Sequence, residues 1–366
     1  MPLDLARVCS LPLVLVALGC APNRGASYER SLAEGLRAET AGRYHDAAAC
    51  FDDATKSAKV PRDGAHARYL AALMLRKAGR NAEARARLDV IAEADPPLPD
   101  SALSAYQAAD MRIAAGDEDG WRRMEALLRR FPNSGVSRPA LHRVLHHKDE
   151  TLGKPHSVAF LREEQKALDT TELGAALAYQ IASRLADMGE TAQARDAFVD
   201  VATRWPYPHG ALFDDALYRA SELDEKLGRY QDAVQDLTRM LDEREIAHFT
   251  GSYQRPRYGP GLMRVAVLYR DRLHDKENAR EAFHRLYAEF TTSPLRDDAL
   301  WQEAELWRED GDTGTACARL ATLAKDVPDS RYVPCAMQRC PRVTRADKSQ
   351  APKTCHAYIE RQKPDR

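Results

Sequence analysis

"LGRYQDAVQDLTRML", residues 227–241, has a looser echo in "AGRYHDAAACFDDA" at residues 41–54. In both, a glycine leads into a run whose apolar residues keep to one face. They are Ala233, Leu237 and Met240 in the first, and Ala47, Phe51 and Ala54 in the second. Spacings of three and four residues make one side of a helix. The glycine ahead is the residue type that ends a preceding helix in the left-handed conformation. Working outward, Gly42, Gly79, Gly116 and Gly153 stand 37 residues apart, and Gly189, Gly228 and Gly311 come next at 36, 39 and 83. A fixed period of this length marks a repeat architecture.

The surroundings of the glycines define the unit. Seven residues before them come Gly35, Ala72, Ala109, Ala182, Ser221 and Ala304, all small. Nine after come Phe51, Leu88, Phe198, Leu237 and Leu320, and proline breaks follow within about twenty residues of the glycines at Pro61, Pro96, Pro132, Pro206 and Pro328. Each unit therefore reads as helix, turn, helix, break, with small residues where two helices approach closely. Unit seven lacks the glycine but carries a second helix in "ENAREAFHRLYAEF", 277–290. Unit four, near 139–168, is irregular: His146 stands at the small position and Pro155 comes just after the turn.

This pattern resembles the tetratricopeptide repeat over residues 28–330. The resemblance implies an all-α, right-handed superhelix, an α-solenoid of about eight helix-turn-helix units. It also implies that the first helix of each unit lines a concave groove for protein partners. The segments "FDDALYRASEL" (213–223) and "SPLRDDALWQEAELW" (293–307) are further similar to repeat lipoproteins that assemble or maintain the Gram-negative envelope.

The N-terminus points the same way. Arg7, the apolar stretch from Val8 to Leu18 and "ALGC" at 17–20 resemble a bacterial lipoprotein signal. The apolar run is shorter than the roughly 20 residues that span a bilayer. The resemblance implies a signal peptide over 1–19, lipidation of Cys20, a short linker over 20–27 and an outer-membrane lipoprotein facing the periplasm. Acyl chains bury CH2 groups at about 0.8 kcal/mol each, enough to hold a soluble body to a membrane.

Chemistry is sparse. Charged residues make up 30% of the chain and the net charge is −1, so there is no basic excess to attract nucleic acid. No P-loop, GxSxG, HExxH or dinucleotide fingerprint is present. His142 and His146 share a helix face, with His147 and Glu150 close behind, but no third ligand stands at diagnostic spacing. No cofactor, metal or small-molecule substrate is expected.

The groove offers better candidates. Ten residues before the turn glycines stand Tyr69, Tyr106, Arg143, Tyr179, Tyr218 and Trp301, with Arg264 at the matching place in unit seven. Tyr, Trp and Arg dominate interface hot spots; the same row would also serve as packing between neighbouring first helices, and both readings stay open. An insertion over 245–261 adds Phe249, Tyr253, Arg255, Arg257 and Tyr258 as loop contacts.

Four of the seven cysteines, Cys317, Cys335, Cys340 and Cys355, cluster near the C-terminus. In an oxidising compartment they make two disulfides, with three pairings open; a zinc site lacks the usual CxxC pairs. Cys50 reads as a small core residue. Residues 331–366 form a cap or tail, with nine Lys/Arg against three Asp/Glu, and 344–353 reads as a linker. The expected function is a non-enzymatic, lipid-anchored scaffold for other envelope proteins. The alternatives are a soluble secreted or cytoplasmic adaptor and a metal-dependent envelope enzyme.

Overall fold

A computed structural model describes residues 24–243 and 256–360, and among these every regular element is helical. Residues 1–19, Cys20, Phe249, Tyr253 and Arg255 lie outside the described residues. The chain divides into two compact units, Met1–Val144 and Leu145–Arg366, with the division inside one helix.

The first unit stacks the pairs α1 (Ala26–Thr40) with α2 (Tyr44–Ser57), α3 (Pro61–Lys77) with α4 (Asn81–Ala92), and α5 (Ser101–Ala114) with α6 (Asp119–Arg130). The division falls in α7 (Ser137–Thr151), which is followed in the chain by α8 (Lys154–Leu168). The second unit continues with α9 (Gly174–Asp187) and α10 (Thr191–Arg204), α11 (Phe213–Lys226) and α12 (Tyr230–Asp242), α13 (Tyr258–Asp271) and α14 (Lys276–Glu289), and α15 (Arg296–Glu309) and α16 (Thr313–Asp326). The short α17 (Val333–Arg339) and α18 (Ala357–Glu360) close it.

The turn within a pair sets its geometry. At Gly42 the backbone takes φ 74°; the Gly42 N–H bonds to the Glu39 carbonyl and the Arg43 N–H reaches back to the Ala38 carbonyl, both at 2.9 Å. This pair of bonds satisfies carbonyls that the helix end leaves open. It recurs at Gly79, Gly116, Gly189, Gly228 and Gly311.

Units four and seven depart from it in opposite directions. Only Leu152 and Gly153 separate α7 from α8, and Gly153 serves as the N-cap of α8. Pro155 falls in the first turn of α8, where its missing N–H does no harm. In unit seven, four residues, Arg272 to Asp275, join α13 to α14. His274 takes the left-handed conformation there, at φ 53°. The Asp275 N–H reaches the Tyr269 carbonyl at 2.8 Å, and its carboxylate caps α14 through the Asn278 N–H at 3.0 Å.

A turn one residue shorter or longer rotates the second helix's side chains by about 100° about its axis, since a helical turn takes about 3.6 residues. The buried set in unit four is accordingly counted from Leu152, not Gly153: Leu145, Ser157 and Leu161 are each fully buried. His146 does not enter the core; it is exposed and pairs with Glu150 at 3.1 Å. In unit seven the small buried residue of the first helix is Ala266.

Two expectations from the sequence are corrected. The insertion ends earlier than residue 261, because Tyr258 to Gly261 form the first turn of α13. Gly259 and Gly261 are helical residues at close approaches: a Cβ on Gly261 would lie 2.5 Å from Met240 Cε. Residues 344–353 are not a free linker. Val343 and Ala351 are buried, Arg345 donates to the Ala351 carbonyl at 3.0 Å, and the Gln350 N–H bonds to Asp329 at 2.6 Å.

At the start of the first unit, Tyr28 is 1% exposed beneath α3, its hydroxyl donating to the Asp63 carbonyl at 3.3 Å. Arg24 bonds the Asp63 carboxylate at 2.9 Å and lies 5.9 Å from the Tyr28 ring centre. In the same pair, a Cβ added to Gly35 would meet Phe51 Cε1 at 2.5 Å. Gly35→Ala is expected to destabilise by about 1–3 kcal/mol through overpacking. A urea melt of that variant checks it, and an unchanged midpoint would show that α1 and α2 can part without cost.

Candidate functional site

The shifted turns dissolve the apparent row of seven equivalent residues. Counted from the true turns, the row place in unit four is the exposed His142, and in unit seven it is Met263. Arg143 and Arg264 each stand one residue beyond it. Both reach back to the preceding first helix. Arg143 bonds Asp110, with Tyr106 also against its guanidinium. Arg264 bonds Glu222 at 3.3 Å and also Glu225, and lies 5.6 Å from the Tyr218 ring centre.

Asp110 and Glu222 each sit six residues before their turn glycine, so the two contacts are one contact repeated. A second contact runs the other way along the array: Arg76 on α3 donates forward to Gln107 and, at 3.1 Å, to Asp110 on α5, and Arg270 on α13 donates forward to Gln302 on α15 at 2.5 Å. Between α7 and α9 the tie takes another shape: Arg184 bonds Asp149 at 2.7 Å and Gln180 at 2.6 Å. Arg143 and Arg264 are therefore couplings between successive first helices. Their sequence signal was the acid in the preceding unit, and the glycine count hid it.

The aromatics divide. Trp301 is 1% exposed because Tyr332 and Arg339 of the C-terminal segment cover it, so here it is buried and not an open groove contact. Tyr69 and Tyr218 are also buried, with small polar edges. Tyr106 and Tyr179 stay half-exposed. The Tyr179 hydroxyl donates to Asp215, and its ring meets Phe198 edge-on at 5.2 Å. Burial first, and the Asp215 carboxylate second, push this phenol well above its ordinary range. It is a hydrogen-bond donor and not a nucleophile.

Arg257 and Tyr258 are not loop contacts. Tyr258 is 3% exposed at the start of α13. Arg257 bonds Asp215 at 2.7 Å and lies 4.6 Å from the Tyr218 ring centre. The first helices α9, α11 and α13 thus meet in one patch. Asp215 holds Tyr179 and Arg257, Tyr218 lies under two guanidiniums, and Arg219 and Glu222 pair at 3.6 Å. Rings with cations over them and paired charges at the rim are what a polar protein surface presses against.

The remaining candidates resolve simply. No group of three His, Cys, Asp or Glu among the described residues could hold a metal, and His142 and His146 are exposed. Cys317 pairs with Cys340 and Cys335 with Cys355, with Cα–Cα distances of 5.6 and 4.6 Å. Cys50 is half-buried rather than a core residue. Burial first, then Glu34, Asp53 and Asp46, push its thiol up, away from reactivity.

One acidic pair was not foreseen. Arg195 on α10 bonds Asp224 on α11 at 2.8 Å and Asp236 on α12 at 3.5 Å. Asp224 is fully buried and one of its oxygens has no partner. Burial raises both acids, Asp236 to about 6, against the lowering pull of Arg195. With Asp224 sealed from solvent the pair cannot reach a substrate; it holds three helices together.

Residues 32–99 and 298–330 each match a family model described as tetratricopeptide repeat. A comparison with curated proteins finds no match. Similar solved structures include a MamA double mutant (RS-1 ArsTM), 15% identical over 53% of this chain and 96% of that one, with a TM-score of 0.35. PilW, a type IV pilus biogenesis factor, is 14% identical over 75% of this chain and 99% of that one, at 0.33. A signal-transduction ATPase with a tetratricopeptide repeat sensor from Pyrococcus horikoshii is 14% identical over 83% of this chain and 48% of that one, at 0.42. The chain is an all-α solenoid carrying tetratricopeptide repeats.

This geometry carries two expected outcomes. Trp301→Ala should cost about 3–5 kcal/mol in a denaturant melt, as a buried aromatic does, whereas Tyr179→Phe should cost about 1 kcal/mol. Asp236 is neutral in the fold up to about pH 6 but ionises near 3.9 in the unfolded chain. The folded state therefore holds the extra proton between those values, and stability falls as pH rises through about 6. Asp236→Asn should flatten that segment of the stability profile; parallel profiles for both proteins would mean that Asp236 ionises normally.

Proposed function

We propose that this chain is a non-enzymatic scaffold that binds protein partners along its first helices, and that it works from a lipid anchor in a bacterial envelope. The observation that carries the binding reading is the patch where α9, α11 and α13 meet. It presents Tyr179, Arg219, Glu222, Arg257 and Arg264 together, half-exposed, on helices fixed by their neighbours. Such a surface is pre-organised, so docking loses little side-chain freedom. Tetratricopeptide repeats at both ends of the array support the same reading.

The envelope reading rests on the sequence. "ALGC" at 17–20 stands after a basic residue and a short apolar core, and Cys20 is the acceptor that such a signal requires. Two disulfides in the last pair and its cap suit an oxidising compartment. The partners then are other envelope proteins, in the role of assembly or maintenance.

Each half has its own test. A photo-crosslinker placed at Arg219 on α11 should capture protein in living cells, while one at the exposed Gln235 on α12 should not. Equal capture at both, or none, would remove the first-helix surface as the site. The intact mass of protein purified from membranes should correspond to a chain beginning at Cys20 with added acyl groups. A chain beginning at Met1 would remove the anchor.

A further inference from the structure

The last pair ends on an arrangement that no other pair has among the described residues. Tyr332 stacks on Trp301 with ring centres 4.8 Å apart and planes 14° apart, and the Arg339 guanidinium lies 4.3 Å from the same indole. Asp298 accepts from Arg331 at 2.6 Å and from the Tyr332 hydroxyl at 2.5 Å. Arg339 bonds Glu305, which Arg308 of the same helix also holds at 2.9 Å. Glu305 sits six residues before Gly311, so Arg339 repeats the contact of Arg143 with Asp110 and of Arg264 with Glu222. The C-terminal segment thus occupies the place of a ninth first helix.

It does so with little intrinsic strength. α17 has seven residues where α15 has fourteen, too few to hold a helix unaided. Covalent ties make up the difference: Cys317–Cys340 fixes the end of α17 to α16, and Cys335–Cys355 fixes its start to the segment before α18. Each bond has one buried sulfur residue, Cys335 or Cys340, and one partly exposed, Cys355 or Cys317, so a small reductant has access.

We propose that the Trp301 face of α15 is a docking surface for a partner helix bearing an aromatic residue and, seven residues on, an arginine, and that the disulfide-locked C-terminal segment keeps it closed. The present occupant defines the chemistry of its replacement. Tyr332 and Arg339 are seven residues apart, two turns along one face, and they match an indole flanked by two carboxylates, Asp298 and Glu305. Opening is a thiol–disulfide exchange. A dithiol reductant supplies two electrons and two protons to each disulfide, becomes a disulfide itself, and leaves four thiols on the chain. This surface is separate from the α9–α11–α13 patch, so the two readings stand or fall independently.

The test uses the full chain and two readouts. Hydrogen exchange before and after dithiothreitol should show residues 331–355 losing protection by about tenfold or more while α13 to α16 keep theirs. A cap that stays protected, or a second unit that unfolds with it, overturns the proposal. The probe is a labelled peptide of residues 329–356 carrying Cys335→Ser, Cys340→Ser and Cys355→Ser. It should bind the reduced chain and not the oxidised one, and Arg339→Ala in the peptide should weaken binding by about tenfold. Equal binding to the oxidised chain overturns the proposal. So does a reduced chain that dimerises and excludes the peptide, because a second copy's cap is then the occupant.

Discussion

The geometry of each helix pair depends on one constraint: the number of residues in the turn between its helices. Three residues with a left-handed glycine let the two helices meet at a small side chain, as Ala72 and Ala182 do with no exposed surface. The turn does not merely connect; it fixes which side of each helix faces inward. In units four and seven, where it is two and four residues long, the buried set moves by one residue and the contacts to the neighbouring pair move with it. Unit three keeps its glycine, but four residues separate α5 from α6 and its buried Gly120 and Met124 are displaced by one as well.

That constraint also explains how much of the fold was legible in the sequence. Periodicity located the helix pairs, because the glycine, the small residue and the large apolar residue recur at fixed offsets set by the helix itself. The same offsets misplaced Arg143 and Arg264, since an offset counted from a glycine assumes a turn of constant length. His274 in the left-handed conformation was invisible for a related reason: a non-glycine there gives no sequence signal. Burial of Trp301 was equally hidden, because it comes from Tyr332 and Arg339, brought over it by the cap. The aromatic row was thus a mixture of core residues and surface ones that only packing could separate. The cysteine cluster was legible, but its pairing depends on how the cap folds over α16.

Charge is used locally. Arginine–carboxylate contacts recur between successive first helices in a chain whose 54 Lys/Arg nearly balance its 55 Asp/Glu. Exposed pairs of this kind contribute little stability, commonly about 0–1 kcal/mol each. Their value lies in orientation: a guanidinium held by two acids and a ring has one direction to point. The apolar contacts supply the stability of a repeat array, neighbour by neighbour, and the ion pairs fix the angle at which each neighbour is held.

The Arg24–Asp63 and Tyr28–Asp63 contacts bear on how the first unit would stand under the proposed anchor at Cys20. They bind the chain to α3 from Arg24 onward. Three residues, Ala21 to Asn23, then lie between the acylated cysteine and a fixed point on the array, four steps with a reach of at most about 14 Å. That leash is shorter than a helix pair is long. The lipid would act as a short mooring that keeps the first helix pair against the membrane surface, and any partner shared with that membrane would be met there, at the headgroups, instead of out in the aqueous space.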